Sequence, residues 1–123
     1  MEIVLYDREL EVMEVLWERG SATVAEVRDA LDEQMAYTTV LTVLRRLEDK
    51  GYVSRQEAGR AHRYFPAIER QAARESALQR LTRRLFNGSP ELLVTHLVSH
   101  KRLSPAQIRR LREMLDGQLP EKR

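Results

Sequence analysis

The apolar residues of this chain change period twice. Up to Gly51 they recur at helical spacing; from Tyr52 to Pro66 short β-branched and aromatic runs take over; from Ile68 onward the spacing is helical again. A helix repeats about every 3.6 residues and a strand every two or so, so a chain written in this order makes helices, one hairpin, then helices.

Within the first stretch, Asp7 to Arg19 sets Leu10, Met13, Leu16 and Trp17 on one face and Glu9, Glu11, Glu14 and Glu18 on the others, and Gly20 stops the helix in a left-handed conformation. Thr23 with Glu26 three residues on is a capping box, opening a second short helix to Leu31 with Val24, Val27 and Leu31 inward. Residues 32–34 are a polar connection, and a third helix runs from Tyr37 to Lys50, closed by Gly51. Residues 52–56 and 62–66 read as strands joined through Gly59, with Pro66 ending the second because it has no N–H for a ladder. Further on, Ala77, Leu78, Leu81 and Leu85 make a stripe ending at Asn87-Gly88. Ser89-Pro90 opens a helix with Leu93 and Leu97 on one face, and Ser104-Pro105 opens another with Ile108, Leu111 and Leu115, fraying past Gly117 into residues 120–123.

This order predicts a mainly α fold with a small β-hairpin wing: a winged helix-turn-helix over residues 1–67, then a three-helix dimerisation domain over residues 68–123. The last three helices carry narrow apolar stripes on basic bodies and would bury a poor core alone. Leu78, Leu81, Leu85, Leu93, Leu97, Ile108, Leu111 and Leu115 are therefore the expected contacts with a second copy. Trp17, Tyr37, Tyr64 and Phe65 read as core aromatics.

Net charge is +2, but this is a cancellation: residues 1–35 hold 3 basic and 10 acidic side chains, and residues 36–123 hold 18 and 9. The acids lie on the two supporting helices, the bases on the third helix, the wing and the C-terminal half. With no cysteine there are no disulfides, thiol nucleophiles or thiolate metal sites. No apolar run approaches the roughly 20 residues of a membrane span, and the acidic start lacks a signal-peptide pattern, so a cytoplasmic protein without membrane insertion is expected. His96 and His100 lie one helical turn apart, but two ligands without a nearby carboxylate or thiolate make a weak metal site. Phosphate-loop, nucleophile-elbow and zinc-protease motifs are absent. The expectation is no enzyme, no metal and no cofactor.

The third helix is the informative one. Tyr37, Val40, Leu41, Val43, Leu44 and Leu47 fill one arc; Thr38, Thr39, Thr42, Arg45, Arg46 and Asp49 fill the other. A helix selected only for stability would carry Ala, Glu or Lys on its solvent arc, since β-branched Thr lowers helix propensity. Thr offers a hydroxyl and a methyl to base edges, and Arg grips guanine through two hydrogen bonds. In the hairpin, Arg55, Arg60, His62 and Arg63 surround Gly59, which puts Arg60 at the tip where a wing meets phosphate or the minor groove. We assign Thr38, Thr39, Thr42, Arg45 and Arg46 to the major groove, and Lys50, Arg60 and Arg63 to the backbone of double-stranded DNA. A winged-helix adaptor that binds protein without reading DNA stays open on these residues alone.

The run from Ala36 to Val53 (AYTTVLTVLRRLEDKGYV), followed by Gly59 to Pro66 (GRAHRYFP), resembles the penicillinase and methicillin repressor family of BlaI/MecI type. So do Glu9 to Trp17 and the closing helix from Leu103 to Leu115. The resemblance implies a homodimeric transcriptional repressor that places two reader helices in successive major grooves of a pseudo-palindromic operator, with control of β-lactam-resistance or related genes. It also implies release by a membrane sensor protease that triggers cleavage between an Asn and a Phe, at positions that by layout are His96 and Leu97 here. Copper-responsive relatives use C-terminal cysteines, which this chain lacks, so that mode of regulation is excluded.

Overall fold

A computed structural model describes residues 2–32, 34–100 and 102–121; Glu33 in the expected connection and Lys122 and Arg123 in the expected tail lie outside the described residues. The elements are α1 (Asp7–Arg19), β1 (Ala22–Thr23), α2 (Val24–Ala30), α3 (Tyr37–Asp49), β2 (Val53–Ala58), β3 (Ala61–Pro66), α4 (Arg70–Leu85), α5 (Pro90–His100) and α6 (Pro105–Asp116). Two compact units divide inside α4, after Gln79. The expected boundary at residues 67/68 falls before the stretch that returns to the first unit: Ala73 is buried there, and the Ile68 carbonyl accepts a hydrogen bond from Trp17 Nε1 at 2.9 Å.

In the first unit, Val12, Met13 and Leu16 of α1, Val24 and Val27 of α2, and Val40, Val43, Leu44 and Leu47 of α3 meet Tyr52, Val53 and Tyr64 in one core. Complete removal of such side chains from water is the main source of stability, on the order of 1.5–3 kcal/mol each. The buried face of α1 differs from the sequence expectation. Leu10 is exposed, and the inward row is Glu9, Val12, Met13 and Leu16. This row follows the i, i+3, i+4, i+7 spacing of a helix face with a carboxylate at its first position. Thr23 caps α2 as expected: its hydroxyl accepts from Glu26 N, and Glu26 returns the bond to Thr23 N.

The sheet has the order β1-β3-β2, antiparallel throughout. Ala22 and Thr23 pair with Tyr64 and Arg63, an edge too short to leave a sequence pattern. β2 and β3 extend further than expected toward the turn, and Ala58 pairs with Ala61 around a two-residue loop. Gly59 has φ +67, the left-handed backbone that such tight loops require at their first position. Arg60 follows it at the tip, exposed.

In the second unit, Ser104 caps α6 by accepting from Gln107 N, with Pro105 in the first turn. Among its described residues none is buried. No helix among the described residues is long and apolar enough to cross a membrane.

Candidate nucleic-acid interface

One face of α3 is fastened down by Val40, Val43, Leu44 and Leu47, which turns the opposite arc outward. Thr38, Thr42, Arg45, Arg46 and Asp49 are exposed on it, and Thr39 is half-buried. Thr42 Oγ1 donates to the Thr38 carbonyl at 2.9 Å, so its single hydroxyl hydrogen is already used. What Thr42 retains for a base edge is an acceptor oxygen and a methyl group. Arg45, Arg46 and the wing-tip Arg60 form no ion pair among the described residues.

The remaining backbone candidates are placed differently. Arg63 lies 3.0 Å from Glu26 and donates to Ser21 Oγ at 3.2 Å, tying β3 to the start of α2. The carboxyl of Glu26 is held below its ordinary value chiefly by the backbone N–H of Thr23, with Arg63 and Arg19 adding to the effect against partial desolvation. Lys50 sits 2.9 Å from the fully buried Glu9. Its ammonium thus faces the protein, away from the Thr/Arg arc. Arg55, beside them in the wing, pairs with Glu48 of α3 at 3.3 Å.

Tyr37 corrects the core assignment: it is exposed, with the Arg28 guanidinium 5.9 Å above its ring. At the first position of α3 it precedes the turns that the core covers. Sequence reasoning also missed Glu9, Glu26 and Arg28 as shapers of this surface. Glu26 was visible as the capping-box acid, but its second role toward Arg63 depends on strand pairing. For Glu9 the residue preceding the helix is Tyr6, which gives no capping signal.

In the second unit, Leu81, Leu85, Leu97, Ile108, Leu111 and Leu115 are exposed, as is Leu78 in the part of α4 belonging to the first unit; Leu93 is half-buried. Val98, Leu103, Ile108, Leu111 and Leu115 line an apolar groove. His96 and Leu97 lie inside α5, where His96 stacks on His100 at 5.1 Å and meets the edge of Phe86 at 5.3 Å. Among the described residues no three His, Cys, Asp or Glu come together as a metal site.

The family model described as Penicillinase repressor matches residues 5–117 of this chain. The penicillinase repressor of Bacillus licheniformis is 30% identical over 112 residues, which cover 89% of this chain and 88% of that protein. The transcriptional regulator BlaI of Mycobacterium tuberculosis is 48% identical over 65 residues, 50% of this chain and 47% of that one. Among solved structures, monomeric Bacillus licheniformis BlaI in complex with the blaP half-operator has a TM-score of 0.50 and 32% identity, covering 58% of this chain and 90% of that one.

Proposed function

This chain belongs to the penicillinase repressor family and is a DNA-binding transcriptional repressor, and on that premise we propose that two copies act together on a pseudo-palindromic operator. The observation that carries the reading is the arc of α3 on which Thr38, Thr42, Arg45 and Arg46 stand exposed, the two arginines without acidic partners among the described residues, while the reverse of the helix is locked into the core. Such an arc supplies donors, an acceptor and methyl groups to base edges in the major groove. Arg60 contacts phosphate from the wing tip.

Dimerisation is supported by the second unit, in which Leu81, Leu85, Leu97, Ile108, Leu111 and Leu115 lie exposed along α4, α5 and α6. Large exposed apolar patches mark interaction surfaces, and a two-fold pair of reader helices matches a two-fold operator. We extend to this chain the control of penicillinase-type genes that the name of the Bacillus licheniformis relative indicates.

The test is fluorescence anisotropy of the full chain on a duplex from the upstream region of its own gene and on a scrambled duplex. Wild type is expected to prefer the first, and Arg45→Ala/Arg46→Ala to lose that preference with unchanged helicity. Equal binding to both duplexes by wild type would overturn the reading.

A further inference from the structure

Glu9 is fully buried, and its Oε1 accepts from Tyr6 N and from Lys50 Nζ, each at 2.9 Å. Its Oε2 has no hydrogen-bond partner. Lys50, the residue that caps the C-terminal end of α3, is the carboxylate's charge partner among the described residues. The same ammonium lies 3.4 Å from the Val4 carbonyl, 4.9 Å from the centre of the Tyr6 ring and 5.8 Å from that of Tyr52. Tyr52 Oη accepts from Val4 N at 3.1 Å, and Ile3 N donates to Ser76 Oγ at 3.1 Å. Residues 3–6 therefore run as a strap touching the start of α1, the end of α3, the root of the wing and α4.

An ion pair whose carboxylate is fully buried is a poor means of gaining stability, because removing that charge from water offsets much of the attraction. What it does supply is geometry. An ammonium held by a carboxylate, a carbonyl and two ring faces is closely confined, and it is attached to the residue that caps the helix carrying Arg45 and Arg46. Moving Lys50 outward to a phosphate would leave Glu9 as an unpaired charge in the interior.

We infer that Lys50 is a positioning residue, which through Glu9 and the strap fixes the end of α3 so that Arg45 and Arg46 reach base edges. This rests on the repressor reading above and deepens it. Base contacts need tight placement, whereas phosphate contacts are delocalised along the backbone and tolerate a loosened helix. The Glu9–Lys50 pair thus acts on sequence preference and leaves general affinity for DNA nearly untouched.

The experiment titrates the full chain against the upstream duplex and its scrambled counterpart at several salt concentrations. The variants are Lys50→Met, Glu9→Gln, the two together, Lys50→Arg, and Arg60→Ala as a phosphate-contact reference. Lys50→Met is expected to weaken binding to the upstream duplex about tenfold, the scale of one lost base contact, with little change on the scrambled one. Its salt slope stays that of wild type. Glu9→Gln does the same, the double variant is no worse than the weaker single one, and Lys50→Arg restores part of the preference. Thermal melts verify folding; should Lys50→Met fail to fold, the neutral double variant and Lys50→Arg carry the same comparison.

A fall in salt slope of about one phosphate's worth for Lys50→Met, with Glu9→Gln unchanged, makes Lys50 a phosphate ligand and overturns the inference. Unchanged preference in every Glu9 and Lys50 variant overturns it as well. Both results leave the repressor reading standing. A wild type without preference for the upstream duplex refutes that reading, and this inference with it.

Discussion

Arg60→Ala and Arg63→Ala remove the same charge from the same hairpin, yet they should produce different defects. Arg60 is exposed at the loop tip beside Gly59 with no ion pair among the described residues. Its loss should change stability by no more than about 0.5 kcal/mol. On DNA, removing one phosphate contact lowers the slope of log affinity against log salt by about 0.9. Between about 50 and 200 mM salt, the advantage of wild type over Arg60→Ala should therefore shrink about threefold, equally on specific and scrambled duplexes.

Arg63 is one-third exposed and bridges Glu26 at 3.0 Å and Ser21 at 3.2 Å. Its removal takes away a partly screened ion pair and a charge-assisted hydrogen bond, together about 1 kcal/mol. For a domain of this size that is a fall in Tm of about 4–8 °C, with the salt slope unchanged. Anisotropy at four salt concentrations and thermal melts by circular dichroism measure both quantities. A reduced slope for Arg63→Ala at constant Tm would mean that the Glu26 pair opens on DNA, and the separation of the two arginines would be refuted. An unchanged slope for Arg60→Ala would remove the wing tip from the interface.

Three further outcomes follow from the same structure. Because the Glu26 carboxyl is held below its ordinary value, the stability it contributes is present above that value and is lost as pH falls through its lowered folded value. Glu26→Gln should melt below wild type at pH 7, and the gap should close in strong acid; a gap constant with pH would contradict the electrostatic role. Leu111→Glu places a charge on an exposed apolar stripe of α6 and should yield a monomer by sedimentation with α1 to β3 intact; an unchanged dimer would exclude that stripe from the interface. Met13→Ala, in the fully buried row of α1, should cost about 2–5 kcal/mol. Leu10→Ala, on the exposed side, should cost well under that, and similar denaturant midpoints for the two would refute the observed rotation of the helix.

How much of this was legible depends on whether a residue's partners lie near it in the chain. The end of α1, and that of α3 to within one residue, were readable because thirteen-residue periodic segments end at Gly20 and near Gly51. The Thr23 capping box was readable because both of its members sit within four residues. β1 was invisible, since two residues form a strand only because Tyr64 and Arg63 are there to pair with. Glu9 looked like a solvent residue of an acidic helix because its partner Lys50 is 41 positions away. Tyr37 lies on the apolar side of the wheel, but the wheel does not show that the core begins a turn later. The exposed threonines and arginines of α3 were found because their periodicity opposes that of the buried row.

The acidic residues of the first unit also serve as partners for its cations. Four of them pair with basic groups of residues 36–123: Glu9 with Lys50, Glu14 with Arg70, Glu26 with Arg63, and Glu48 with Arg55. Each pair assigns a cation to the scaffold: Lys50 to the end of α3, Arg70 to the start of α4, Arg63 and Arg55 to the wing. Arg45, Arg46 and Arg60 remain without such partners among the described residues, on the reader arc and at the wing tip. A net charge near zero and a sharply defined binding face are thus compatible. The acids engage cations that would otherwise be free to bind phosphate in any register, and leave unpaired the two on the reader arc and the one at the wing tip. On this account, replacing Glu26 and Glu48 by glutamine should raise affinity for the scrambled and the upstream duplex by about the same factor and steepen both salt slopes, because it frees Arg63 and Arg55 to bind phosphate without adding any base contact. No gain on either duplex would show that these pairs serve stability alone.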